Sequence, residues 1–121
     1  PLLLQILGLL LSGLGYALTV WATGSNAFFS QVVRLQSERG QRVVDSGPYT
    51  RVRHPAYVGM ILVEFGLALL LNSLPALAIG LLDTALLVVR TRLEDAFLQS
   101  DLEGYAEYAQ RVRFRLFPGI W

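Results

Sequence analysis

The chain has 121 residues, of which 54% are hydrophobic and 16% charged, with a mean hydropathy of +0.50. That composition allows one domain at most and lies far from a soluble average. The absence of cysteine excludes disulfides, thiol nucleophiles and Cys-ligated zinc, one histidine argues against any metal site, and a net charge of +1 gives no argument for nucleic acid.

The placement of charge says more than its amount. No charged residue precedes Arg34, and between His54 and Arg90 only Glu64 and Asp83 are charged. The rest falls into two clusters, 34–53 and 90–115, a membrane pattern. All ten basic residues are arginine, which favours fork-shaped contacts with anions and carbonyls. The chain begins at Pro1 without methionine and is expected to be an N-terminally truncated piece.

The first 22 residues, PLLLQILGLLLSGLGYALTVWA, are long enough for a spanning helix and too long for a signal peptide. Gly8, Ser12 and Gly15 offer a small-residue face for close packing, and Tyr16 and Trp21 suit an interface. ATGSN then ends the helix. In the NAFFS that follows, Phe28 and Phe29 suit interfacial packing or a lipid-facing entrance. Residues 34–55 read as a structured loop with a short extended RVV.

Pro55 opens a second helix of about 17 residues towards Leu71. NSLP is a turn, with Ser73 as N-cap and Pro75 in the first turn of a third helix. That helix runs through ALAIGLLDTALLVV and continues as RTRLEDAFLQ beyond the membrane. A hairpin returns both outer ends to one side, so the two charge clusters meet there. Five arginines in the first cluster favour the cytoplasmic side. The expected fold is all-α: an integral membrane helical protein with one spanning helix, a helical hairpin and structured cytosolic loops.

Chemistry concentrates where the clusters meet. Arg90 and Glu94 lie four apart on one helical face, fit either for an exposed ion pair or for a clamp on a zwitterionic ligand. Asp95, on a neighbouring face, is placed to hold loop arginines. In RHPAY, Pro55 restricts His54 to extended geometry and sets Tyr57 at a helix entrance, as an interfacial anchor or part of a site. Glu64 and Asp83 stand at similar depth on the hairpin arms, either tying the helices together or forming a polar wall of an acceptor pocket. RVRFRLFPGIW alternates arginine with apolar residues. It is expected to lie along the interface, anchoring or covering a ligand, with Phe114, Leu116 and Trp121 inward and the arginines outward. GLGYAL lacks the third glycine and preceding strand of a dinucleotide fingerprint.

GPYTRVRHPAYVGMILVEFG, then RTRLEDAFL, then GYAEYAQRVRFRLFPGIW, in that order, resemble the C-terminal core of the isoprenylcysteine carboxyl methyltransferase family over residues 24–121. The pattern is shared more loosely with membrane phospholipid methyltransferases and more weakly with NADPH-dependent sterol reductases. The resemblance implies methyl transfer from S-adenosylmethionine to a lipophilic or lipid-modified acceptor at the membrane surface. Carried over by motif, Gln41, Arg42, Val43, Val44, Tyr49, His54, Pro55, Ala56 and Tyr57 would line the cofactor pocket. Glu94 would hold the cofactor's amino acid end, Arg90 would face the acceptor, and Arg34 or Gln36 would close the pocket. Gln41 replaces the family's usual histidine and Asp95 its second glutamate, both keeping hydrogen-bonding ability. The family also carries additional membrane segments upstream, of which this sequence shows at most one. The alternatives are a membrane reductase and a non-catalytic scaffold or small-ligand binder.

Overall fold

The structure, a computed structural model, describes all 121 residues. It is all-helical: α1 (Leu2–Ser25), α2 (Pro55–Leu70), α3 (Leu74–Asp101) and α4 (Tyr105–Arg111). The long connection between α1 and α2 holds two single turns of 3-10 helix, Ser37–Arg39 and Gly47–Thr50, and no strand, so the extended RVV pairs with nothing.

At 24 and 28 residues, α1 and α3 are long and apolar enough to cross a membrane; at 1.5 Å per residue they reach about 36 and 42 Å. With 16 residues, α2 is shorter. The large aliphatic side chains point away from the protein: Leu14 is 66% exposed and Ile79 68%. With lipid as solvent, helices gain nothing by hiding leucine and associate instead by close backbone packing.

The small-residue face supplies that packing. A Cβ on Gly15 would stand 2.6 Å from the Gly59 carbonyl oxygen, and one on Gly66 would stand 2.8 Å from that of Gly8. These contacts run α1 antiparallel to α2 with their backbones nearly touching. The Thr19 hydroxyl adds hydrogen bonds to the carbonyls of Gly15 at 2.9 Å and Ala56 at 3.5 Å. The Ser73 hydroxyl caps α3 by accepting from Ala76 N–H at 3.1 Å, with Pro75 in the first turn as expected. Across the hairpin Glu64 lies opposite Gly80, which lets α2 and α3 approach at that level.

Two features depart from expectation. The C-terminal cap contains a helix, α4, entered through Gly104 at φ +83°, a left-handed turn that glycine adopts without strain. In the tail after it, Leu116 is buried and Phe114 and Trp121 pack against Val52, Tyr57, Val58 and Ile61, the inward set anticipated, and Phe117 joins them. The arginines divide. Arg111 and Arg113 face outward, whereas Arg115 stacks on Trp121 at 4.8 Å and turns inward to Asp95, because a buried carboxylate outweighs the alternating pattern.

Candidate active site

At the end where α1 stops, α2 begins and α3 protrudes, a cleft opens with an empty volume of about 740 Å³, its mouth included. Beneath it lies Asp95, wholly buried. Its Oδ1 accepts from Arg53 Nε at 2.7 Å, Tyr105 hydroxyl at 2.9 Å and His54 Nε2 at 3.1 Å. Its Oδ2 accepts from Arg53 Nη2 at 2.7 Å, Gln99 at 2.8 Å and Arg115 at 3.1 Å. An ionised carboxylate only accepts, so Nε2 is the protonated nitrogen of His54 in this contact.

The remaining nitrogen of Arg53 binds the carbonyls of Ala109, Val112 and Arg113, at 3.3, 2.9 and 3.0 Å, and so caps α4. One ion pair thus ties the loop, α3, α4 and the tail together. The expectation that Asp95 holds loop arginines is met by Arg53.

Tyr105 and Tyr108, three apart on α4, face the cleft, their rings edge to face at 5.4 Å. Tyr108 donates to the Tyr49 carbonyl at 2.6 Å, and Asn26 donates to the Tyr49 hydroxyl at 3.3 Å. Burial raises the pKa of all three tyrosines above the ordinary phenol value, with Asp95 adding to the effect at Tyr105. They are therefore neutral phenols, Tyr105 and Tyr108 donating and Tyr49 accepting.

A second polar chain crosses the cleft's edge. Tyr57 stacks parallel to His54, with ring centroids 5.8 Å apart. Its hydroxyl donates to Glu94 Oε2 at 2.5 Å and accepts from Arg90 Nε at 2.9 Å. Arg90 and Glu94 remain 3.8 Å apart with the tyrosine oxygen between them. The other end of Arg90 grips the main-chain carbonyls of Ser30 and Gln31.

The cleft brings together Gln41, Arg42, Val43, Val44, Tyr49, His54, Ala56, Tyr57 and Glu94, and also Arg34. Three residues named from the sequence lie outside its lining. Pro55 is buried at the start of α2, and Arg90 sits behind Tyr57. Gln36 is a buried strut: its amide nitrogen donates to the Phe28 carbonyl at 2.7 Å, and its backbone N–H donates to the Gln41 side chain, also at 2.7 Å. Of the two candidates for closing the pocket, the lining therefore includes Arg34 and not Gln36. Glu64 and Asp83 do not line it either.

The sequence missed Arg53, Phe97, Leu98, Leu102, Tyr105 and Tyr108 as lining residues, and it left Phe28 and Phe29 undecided. A signal existed for some: Leu98 and Leu102 follow Glu94 at intervals of four, one stripe of a helix and its end. Asn26, Phe28, Phe29, Ser30, Val32 and Val33 come from one irregular segment laid across the cleft.

The fold and cleft define a helical integral membrane protein with a ligand-sized site, largely apolar in lining with a few polar groups, at the end of its spanning helices. The chain belongs to the phospholipid methyltransferase family, whose description matches residues 3–103. It is similar over 97% of its length to the eukaryotic intramembrane Ras methyltransferase ICMT (isoprenylcysteine carboxyl methyltransferase), with a TM-score of 0.79 and 26% identity. It shares 29% identity over 86 residues with protein-S-isoprenylcysteine O-methyltransferase B of Arabidopsis thaliana, or 69% of this chain. It shares 40% identity over 81 residues, 64% of this chain, with the cobalt-zinc-cadmium resistance protein CzcN of Cupriavidus metallidurans. The chain spans 42% of the ICMT structure, 44% of the Arabidopsis protein and 37% of CzcN. The family resemblance drawn from the ordered motifs therefore holds.

Proposed function

We propose that this chain is the cofactor-binding core of a membrane methyltransferase that moves a methyl group from S-adenosylmethionine to a lipophilic acceptor. The observation that carries the reading is Glu94, a carboxylate lining a cleft of ligand size and tethered through one oxygen by the Tyr57 hydroxyl. Its other oxygen has no side-chain partner and suits an ammonium group.

The remaining walls fit the rest of such a molecule. Tyr49, Phe28, Phe29, Val43, Val44 and Leu98 offer flat and aliphatic surface for a purine and ribose. Arg34 and Arg42 offer charge for an α-carboxylate, and His54, its Nε2 committed to Asp95, presents a ring of fixed orientation. S-adenosylmethionine supplies, when bound, a methyl carbon on a sulfonium, which an ionised carboxylate can take without a protein base or covalent intermediate. The chain's own work is then to bind, orient and exclude water. Glu94 fixes one end, the tyrosines and Asp95 hold the floor, and the segment 26–33 covers the opening.

An isoprenylcysteine-like carboxylate is the acceptor we favour, since proteins named for that reaction are among the relatives. A site at the ends of spanning helices reaches both a water-soluble donor and a bilayer-borne acceptor, and the loop arginines orient it towards the cytoplasm. Calorimetric titration of the nanodisc-embedded protein with S-adenosylhomocysteine tests the reading. Saturable binding is expected, at least tenfold weaker in Glu94→Ala. Preference for NADPH would instead favour a reductase, with Arg34 and Arg42 serving a phosphate. Binding without transfer to any lipid extract would favour a scaffold.

A further inference from the structure

Arg90 is set apart by what its side chain holds. It stands one turn before Glu94 on α3, yet its guanidinium does not line the cleft. One edge donates through Nε to the Tyr57 hydroxyl at 2.9 Å, and another donates through Nη2 to the carbonyls of Ser30 and Gln31. Its plane also lies 5.6 Å from the Tyr57 ring centroid. Those carbonyls belong to the irregular strap, residues 26–33, that supplies six of the lining residues.

The strap has few other attachments. Within itself, Asn26 accepts from the N–H groups of Phe28 and Phe29, at 2.9 and 3.2 Å, and the Ser30 hydroxyl accepts from Val32 N–H at 3.1 Å. Outside itself, Asn26 holds Tyr49, and the Gln36 amide grips the Phe28 carbonyl at 2.7 Å. The guanidinium of Arg39 lies 5.5 Å from the Phe28 ring. Beyond Phe28, Arg90 supplies the side-chain hydrogen bonds that join the strap to a helix. A planar fork can reach Tyr57 and two carbonyls at once, which a lysine ammonium on a flexible stem cannot reproduce.

We propose that Arg90 is a positioning residue: it latches the strap over the cleft and, through Tyr57, aligns the carboxylate of Glu94. This rests on the cleft being the cofactor site, and it gives that site a closure device. Binding at Glu94 and closure of the strap are then coupled through one hydroxyl, because Tyr57 donates to Glu94 while accepting from Arg90. Loosening either contact frees the other partner.

Hydrogen exchange of the nanodisc-embedded protein tests the latch, with Phe28, Phe29 and Val32 as reporter amides. Arg90→Ala and the milder Arg90→Lys should each speed exchange across 26–33 on the order of tenfold, leaving α2 and α4 unchanged. Unchanged strap exchange in Arg90→Lys would overturn the proposal. So would acceleration spread equally through α2 and α4, which marks a general structural role. In a kinetic arm, latch loss should raise the association and dissociation rates of S-adenosylhomocysteine together, whereas lost direct contact would raise dissociation alone and overturn it. If the wild-type protein binds no S-adenosylhomocysteine, the methyltransferase reading fails, while the exchange result still decides the latch.

Discussion

Replacing Asp95 by asparagine should remove a large share of the stability of this domain. The carboxylate takes six hydrogen bonds on two oxygens, three on each. An asparagine keeps one acceptor oxygen and puts an NH2 group where the other stood, facing donors. The losses are unequal. Arg115 is 31% exposed and Gln99 sits at the surface, so both can turn to water. Arg53 cannot, since its side chain is 4% exposed and its remaining nitrogen is committed to α4. Breaking a buried ion pair on one side costs about 3–5 kcal/mol, out of a usual total of about 5–15. The fall in melting temperature should be roughly 10–20 °C. Circular dichroism of the detergent-solubilised variants would measure it, with Arg115→Ala expected to cost no more than about 1 kcal/mol. A loss below about 1 kcal/mol in Asp95→Asn, or a larger loss in Arg115→Ala than in Arg53→Ala, would refute the argument that the buried pair carries the hub.

Close packing of α1 on α2 makes Gly59→Ala unfavourable by about 1–3 kcal/mol, because the new methyl would lie 2.6 Å from the Gly15 carbonyl oxygen. Gly13→Ala, where nothing lies within 4 Å, should instead gain about 0.5–1 kcal/mol; denaturation in mixed micelles compares the two. Ser73→Ala should cost about 1 kcal/mol by uncapping α3, read as a lower unfolding midpoint with unchanged helix content. Alkali should also destabilise the fold. Tyr49, Tyr105 and Tyr108 hold their protons more tightly when folded, whereas in the unfolded chain they ionise near pH 10. Stability is therefore full below about pH 10 and falls as pH rises beyond it, by up to about 1.4 kcal/mol per tyrosine per unit. A denaturation midpoint that stays level between about pH 9 and 11 would refute this, and Tyr108→Phe should make the decline shallower.

The helices were legible because their signals are local. Twenty-two apolar residues, Ser73 before Pro75, and an apolar run that turns polar at Arg90 fix α1, the hairpin turn and the protruding half of α3. The small-residue face was legible too, since Gly8, Ser12 and Gly15 repeat at helical spacing. Partner choice was not. Five arginines of the loop were equal candidates for Asp95, and only the tertiary path brings Arg53 to it. Helical spacing correctly set Arg90 beside Glu94, but the tyrosine oxygen between them comes from another helix. The strap carries no apolar period, so Phe28 and Phe29 gave no sign of which way they faced. At seven residues, α4 is too short for a periodic signal, and it depends on Gly104 before it and Arg53 at its end.

Two of the clasps on the strap, Gln36 and Arg90, hold main-chain carbonyls. A carbonyl is the same whatever side chain its residue bears. Phe29, Val32 and Val33 can therefore be exchanged for larger, smaller or more polar residues while these two clasps stay intact, whereas Phe28 also meets the Arg39 guanidinium through its ring. Evolution could then vary the surface that meets the ligand separately from the hardware that holds it. Grafting the corresponding segment from a relative onto this frame is the engineering route that such a division of labour leaves open.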